Sequence, residues 1–303
     1  PGQIVQLHSE SKKVKKFNFW STEEAYNKGN LSQISGTPKE IIDQLEVVLS
    51  KAVSSQMQSD VPLGAFLSGG IDSSTIVALM QSQSDSRVNT FTIGFNAKEY
   101  DEAKHARRVA NHIGTNHFEM YVSERDALDI IPNLPNIYDE PFADSSQIPT
   151  YLVSKFAKQE VTVALSGDAG DELFGGYNRY VFADKMFSKI MKGPISIRQL
   201  ISSSILTMTE EKWNTLLNNF LSERFTDIGH KLHKVANVLP SKSIRDMHFK
   251  LVSQIHNPSD WLLNANEYKT PLNDDTEIFV ELNPIEQMMA YDLITYLPTD
   301  ILT

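Results

Sequence analysis

Residues 64–75 read GAFLSGGIDSST, and the rest of the chain is parsed from them. An apolar run stops at Ser68, two glycines follow, and a hydroxyl-rich segment carrying Asp72 opens into TIVALM. A strand, a glycine turn and a helix start in that order suit an anion. Glycines let backbone N–H groups approach it without an intervening Cβ, and the helix N-terminus adds partial positive charge. The stretch has no lysine, which a Walker-type loop requires. It carries Asp72 instead, whose carboxylate repels a phosphate unless a divalent cation lies between them. Mg2+ takes one or two carboxylates together with phosphate oxygens, which accounts for the acid. The plainer alternative is a tight strand-to-helix turn with an Asp and Ser cap.

A second stretch, VTVALSGDAGDELFGGYNRY at residues 161–180, has the same design. An apolar strand ends in Ser166 and Gly167, and the acids Asp168, Asp171 and Glu172 follow. Gly170, Gly175 and Gly176 predict a close-packed loop here. Two parallel strands ending this way place hydroxyls, amides and carboxylates on one carboxyl edge, where open α/β sheets bind ligands. Asp72 and Asp171 are then able to share a metal on the phosphates. Helix capping by Asp168 and Asp171 is the alternative, and it leaves the paired arrangement unexplained.

The flanking pattern predicts an α/β protein with a parallel sheet flanked by helices. Strands are expected at PLGAFLS, RVNTFTIGF, HFEMYV and VTVALS, and helices at 38–57, 74–83, 101–112, 127–134 and 150–159. Two short extended pieces, QIVQL and VKKFNFW, precede them. After Arg179 strand signals nearly vanish, and SIRQLISSSILTM, EEKWNTLLNNFL and EQMMAYDLITYL predict a helical C-terminal region. The 303 residues suffice for one large or two modest domains. The absence of cysteine excludes disulfides, Cys-ligated zinc and a thiol nucleophile in this chain. A net charge of −10 argues against nucleic acid as the main partner, and the lysines at 12, 13, 15 and 16 read as a solvated edge. No apolar run is long enough to span a membrane, and the first residues lack the apolar core of a secretory signal. Together these features favour the cytoplasm. His105, His112 and His117 do not have zinc-site spacing and read as surface or packing residues, and Trp213 and Trp261 read as core. Asp139, Glu140 and Asp144 either face a substrate amine or belong to a structural network.

DVPLGAFLSGGIDSSTIVALM together with VALSGDAGDELFGGYNRY resembles the synthetase domain of glutamine-dependent asparagine synthetases. These are N-type ATP pyrophosphatases with an SGGxDSS PP-loop and an adenine nucleotide alpha hydrolase-like fold. FTIGF, YDEAKHARRVANHIGTNHFE, YDEPFADSSQIPTYLVSKFAK and MMAYDLITYLPTDIL follow in the family's order, so the resemblance spans essentially the whole chain. It implies an AMP-forming ligase using ATP and Mg2+. Aspartate would be activated as β-aspartyl-AMP with release of pyrophosphate, and ammonia drawn from glutamine would then displace AMP to give asparagine. By family position, Ser68, Gly69, Gly70, Asp72 and Ser73 would hold pyrophosphate, with Asp72 and Asp171 as magnesium ligands. Leu67 and Ile93 stand where adenine and ribose are contacted, and Ser166 and Gly167 match nucleotide-binding positions. Asp168 matches a family acid, often glutamate, needed to form the acyl-adenylate, and is one methylene shorter. The resemblance further implies that residues 1–20 are the remnant of a glutaminase domain. Residues 21–303 would be the synthetase domain without its C-terminal lysine and arginine-rich segment. Family members are often homodimers. A relative acting on another carboxylate, in cell-surface polysaccharide or secondary metabolism, has the same loops. A non-catalytic nucleotide-binding scaffold is the other alternative, and the intact acids argue against it.

Overall fold

The computed structural model describes residues 2–95, 102–140, 144–218, 227–255 and 258–303. Asp101, the last three residues of EEKWNTLLNNFL and the centre of the 138–149 loop lie outside them. The first elements are a hairpin of β1 (Gln3–Leu7) and β2 (Val14–Asn18), then helices α1 (Thr22–Leu31) and α2 (Pro38–Gln56). β3 (Leu63–Phe66), α3 (Ile71–Ser82), β4 (Asn89–Phe95), α4 (Ala103–Ile113) and β5 (Asn116–Val122) follow. Short helices α5 (Glu124–Leu128) and α6 (Leu134–Ile137) lead to α7 (Gln147–Ala157), β6 (Val163–Leu165) and α8 (Gly170–Phe174). The remainder is helical: α9 (Asn178–Ile190), α10 (Ile195–Leu206), α11 (Glu210–Asn218), α12 (Ile228–Val238), α13 (Ile244–Val252) and α14 (Pro284–Ile294). Among the described residues no helix is long and apolar enough to cross a membrane.

The chain divides into two units. The first comprises Tyr26–Asp171 and Thr299–Thr303. Its core is a four-stranded parallel sheet in the order β5-β4-β3-β6. Period-two alternation decides which helices each strand meets. Leu63, Ala65 and Leu67 pack with Val53 of α2, Val77 and Met80 of α3, and Ala106 and Ala110 of α4. Phe66 points the other way, to Phe91, Phe118 and the α7 residues Val153, Phe156 and Ala157. Phe91 stacks on Phe118 at 5.2 Å between ring centroids. The sheet is therefore covered on both faces, as expected for a parallel sheet. α2 opens on a capping box in which Thr37 and Glu40 bond each other's backbone, with Pro38 in the first turn.

The second unit comprises Pro1–Ala25 and Glu172–Pro298. All ten residues of the β1–β2 ladder are exposed. Tyr180 and Ala183 of α9, Val238 of α12, Met247 of α13 and Met288 of α14 form an apolar core. That unit also buries a polar centre. Asp292 accepts hydrogen bonds from Tyr180 at 2.5 Å, Arg179 at 2.9 Å and His248 at 2.9 Å.

The four strands stand where their apolar runs predict. Several details differ. α3 starts at Ile71, three residues before the expected start at 74. The predicted loop at 170–176 contains the helical turn α8, and the expected helix at 127–134 resolves into α5, a 3₁₀ turn at Ile131–Asn133, and α6. Trp213 is half-buried and donates to Ile205 O at 2.9 Å. Trp261, expected in the core, is 77% exposed.

Candidate functional site

The chain steps from β3 outward through β4 to β5, and then places β6 on the opposite side of β3. The strand order thus reverses at the carboxyl ends of β3 and β6, the position at which open α/β sheets form their ligand crevice. The two Ser-Gly loops leave the sheet there. A Cβ added to Gly167 would lie 2.6 Å from Ser73 N and 2.9 Å from Asp72 C, and one on Gly170 would lie 2.5 Å from Asp72 Cγ. The second loop therefore rests on the first turn of α3. Both contacts need a residue without a side chain.

Asp72 and Asp171 meet as a result. Burial raises the pKa of Asp72 above its ordinary 3.8, and the charge of Asp171 raises it further. Two carboxylates held together in a partly desolvated place repel each other, and a divalent cation between them removes that repulsion. Among the described residues no group of three or more His, Cys, Asp or Glu could hold a metal ion, so the carboxylate pair stands without a third such ligand. Asp168 is exposed beside them, and Ala169 has a left-handed backbone with φ +73°.

The first loop is tied together by its own hydroxyls. Ser68 Oγ and Ser73 Oγ lie 2.9 Å apart, Gly70 N donates to Ser68 Oγ at 3.2 Å, and Ser68 N donates to Ser73 Oγ at 3.3 Å. Gly70 is the N-cap of α3 and supplies no side-chain cap, so the first N–H groups of that helix have no side-chain acceptor at the cap. The two loop glycines are not equivalent. Gly69 has φ +83°, and a Cβ there would lie 2.7 Å from Ala106 N. Gly70 has φ −71°, which any residue adopts, and its Cβ would meet only Ser68 Oγ at 3.3 Å.

A cleft of about 610 Å³ opens beside this loop, lined by Ser68, Phe91, Thr92, Ile93, Glu102 and Ser146 among others. Leu67 also reaches it, although its side chain is only 1% exposed and packs in the sheet core. What Leu67 offers the cleft is chiefly backbone. Ser68, Leu67 and Ile93 are thus gathered on one cleft, while Gly167, Asp168 and Asp171 belong to the second loop at its neighbouring strand end. Sequence reading missed Thr92, Glu102 and Ser146 as lining residues. Strand alternation from Ile93 reaches Phe91 and Phe95, which also line the cleft, but not Thr92, and Glu102 and Ser146 come from a helix cap and a loop. It also missed Asp300, whose Oδ1 is buried without a hydrogen-bond partner. Burial raises the pKa of Asp300, and Asp144 adds to the rise. Asp144 itself accepts from the backbone N–H of Ser146 at 2.9 Å.

The asparagine synthase family model matches residues 44–303. A Methanocaldococcus jannaschii protein, provisionally named a glutamine-hydrolysing asparagine synthetase, is 48% identical over 149 residues, which cover 49% of this chain and 29% of that protein. The glutamine-hydrolysing asparagine synthetase 1 of Bacillus subtilis is 37% identical over 174 residues, 57% of this chain and 27% of that one. Asparagine synthetase B of Escherichia coli, also named glutamine-hydrolysing, is 35% identical over 153 residues, 45% of this chain and 27% of that one. The chain thus spans less than a third of each of these three relatives.

Proposed function

Because the chain belongs to the asparagine synthase family, we propose that it is the synthetase portion of an ATP-dependent ligase that makes asparagine with ammonia drawn from glutamine. The observation that carries this reading is the meeting of the two Ser-Gly loops at the strand-order reversal, with Asp72 and Asp171 facing each other. In this reading the 610 Å³ cleft takes the adenosine, against Ile93 and the backbone of Leu67. Ser68, Gly69, Gly70 and Ser73 hold the β- and γ-phosphates, and Ser166 and Gly167 complete the nucleotide contacts. A β-carboxylate oxygen of aspartate attacks the α-phosphorus. The bond from that phosphorus to the bridging oxygen breaks, and pyrophosphate leaves. Donor groups at the N-terminus of α3 stabilise the charge that develops on it. Ammonia then attacks the acyl carbon, AMP departs with the bonding electrons, and the nitrogen loses a proton to give the amide. Asp168, exposed in the second loop, holds the reacting carboxylate or the incoming nitrogen in place.

The donor set fits a magnesium ion. Asp72 and Asp171 are the residues that would hold it, and the ion supplies neutralising charge to the leaving pyrophosphate. In the same proposal, residues 1–20 are the end of a glutaminase-type domain and 21–303 the synthetase domain. The exposure of both faces of the β1–β2 hairpin supports that division. Homodimeric assembly and a cytoplasmic location rest on the family likeness and on composition. The test is pyrophosphate release by the protein with its glutaminase domain, given ATP, Mg2+, aspartate and ammonia. Release that depends on aspartate supports the reading. Release without aspartate dependence points to another carboxylate as acceptor, and no release points to a nucleotide-binding scaffold.

A further inference from the structure

Among the described residues that line the proposed adenosine cleft, Glu102 alone has a charged side chain. Its neighbours there are apolar, such as Phe91 and Phe95, or carry hydroxyls, such as Thr92 and Ser146. The backbone of Glu102 is fixed from two sides. Its carbonyl accepts from His105 N at 2.9 Å and Ala106 N at 3.0 Å, which closes the first turn of α4. The next residue, Ala103, is fully buried, and a Cβ added to Gly94 of β4 would lie 2.9 Å from its Cβ. The carboxylate itself is uncommitted. It makes no capping bond to α4, and among the described residues it has neither an ion pair nor a hydrogen bond. An ionised carboxylate only accepts hydrogen bonds, and the few polar groups of a largely apolar cleft set the orientation and identity of what binds there. Glu102 is thus an acceptor without a structural partner, on the wall of a cleft read as a nucleotide site.

Adenosine offers such an acceptor two kinds of donor, the ribose hydroxyls and the amino group of the base. Position chooses between them. Ala106, one helical turn on from Glu102, supplies the backbone N that a Cβ on Gly69 would meet at 2.7 Å. Glu102 therefore stands one turn of α4 away from the loop proposed to hold the phosphates, and in a nucleotide the sugar is the part joined directly to them. We propose that Glu102 is a specificity-determining residue whose two carboxylate oxygens accept from the 2′- and 3′-hydroxyls of the ribose. This role rests on the nucleotide reading proposed above. The apolar remainder of the lining is left to the base.

Calorimetric titration of the protein with its glutaminase domain, in Mg2+, tests this with ATP, 2′-deoxy-ATP and 3′-deoxy-ATP. Wild type and Glu102→Ala are compared. Removing a negative charge near a triphosphate strengthens all three nucleotides alike, so the readout is the ratio of affinities, in which that shared effect cancels. Wild type should favour ATP over each deoxy analogue about tenfold or more, the loss expected for a charge-assisted hydrogen bond. Glu102→Ala should bring both ratios close to one. Equal wild-type affinities, or ratios that Glu102→Ala leaves intact, overturn the inference while ATP binding itself stands. So does a variant that changes instead the preference for ATP over its N6-methyl analogue, because the carboxylate would then read the base. A wild type without saturable ATP binding removes the nucleotide reading, and the inference falls with it. Glu102 is exposed and its side chain caps nothing, so the variant should melt at an unchanged temperature.

Discussion

Asp72 stands at a position that stability alone would not choose. Its carboxylate is partly desolvated and faces Asp171, and both effects disfavour its charged form. A carboxylate with a raised folded pKa lowers stability where it is ionised, and the cost disappears as pH falls through that folded value. Asp72→Asn should therefore melt no lower than the wild type at neutral pH, and by the size scaling of melting temperatures on the order of 1 °C higher. Thermal melts of the metal-free protein check this, and the gap should shrink as pH falls through the folded pKa, which lies above 3.8, and be gone below the unfolded value. The same variant should lose at least tenfold in magnesium-dependent pyrophosphate release, since one of two proposed ligands is gone. Glycines 69 and 70 make a second comparison. Gly69→Ala forces a left-handed residue against the backbone of Ala106 and should cost about 1–3 kcal/mol. Gly70→Ala should cost under about 1 kcal/mol, since its backbone is ordinary and its neighbourhood open. Denaturant unfolding distinguishes them. The sequence shows two adjacent glycines and points to the acid pair, but not which glycine is obligatory. That depends on α4, which arrives much later in the chain and passes within reach of Gly69 only.

At the scale of elements, the decisive contact is β6 delivering Gly167 onto the first turn of α3. Gly167→Ala places a Cβ 2.6 Å from Ser73 N. Either the strand end or the helix start must shift, at about 1–3 kcal/mol for overpacking, and pyrophosphate release should fall more than stability does. Activity and denaturant curves measured on one preparation compare the two losses. Phe91 serves both the core and the cleft: it is fully buried, stacks on Phe118 and meets Phe156 edge-on. Phe91→Ala should cost about 3–5 kcal/mol, read as a lowered denaturant midpoint at unchanged slope. The sheet was legible because each strand is a short apolar run bounded by turn residues. α8 was not, because Gly170, Gly175 and Gly176 resemble a loop until one sees that Gly170 is glycine to clear Asp72, not to break a helix. α1 escaped for the opposite reason. TEEAYNKGNL has no apolar stripe, and Thr22 is its only residue to be buried.

Across the whole molecule, burial is concentrated in two cores of different character. One is the aliphatic and aromatic filling of the parallel sheet. The other surrounds Asp292, which is 0% exposed. Burial alone would raise its pKa, yet the hydrogen bond and charge of His248, together with Arg179, leave it depressed below 3.8. A depressed carboxylate contributes stability in full above its unfolded pKa and loses it as pH falls through the folded one. Asp292→Asn should cost about 3–5 kcal/mol at neutral pH, because Arg179 and His248 are left facing no charge. Its acid-unfolding curve should be flatter than the wild type's below about pH 4. Melts across that pH range check both. The sequence showed MMAYDLITYL as a helix but could not reveal that its acid collects partners from α9 and α13, since nothing local pairs them. Stepwise expectations also failed at Trp261, because an aromatic in a partly apolar stretch is no guarantee of a neighbour to bury it. The fit between Gly167, Gly170 and the start of α3 has a consequence for recombination. A chimera that takes residues up to α3 from one family member and β6 onward from another brings together two surfaces shaped in separate lineages. Crossovers outside the 71–170 interval keep that fit intact, so shuffled libraries should yield their working members from such joints.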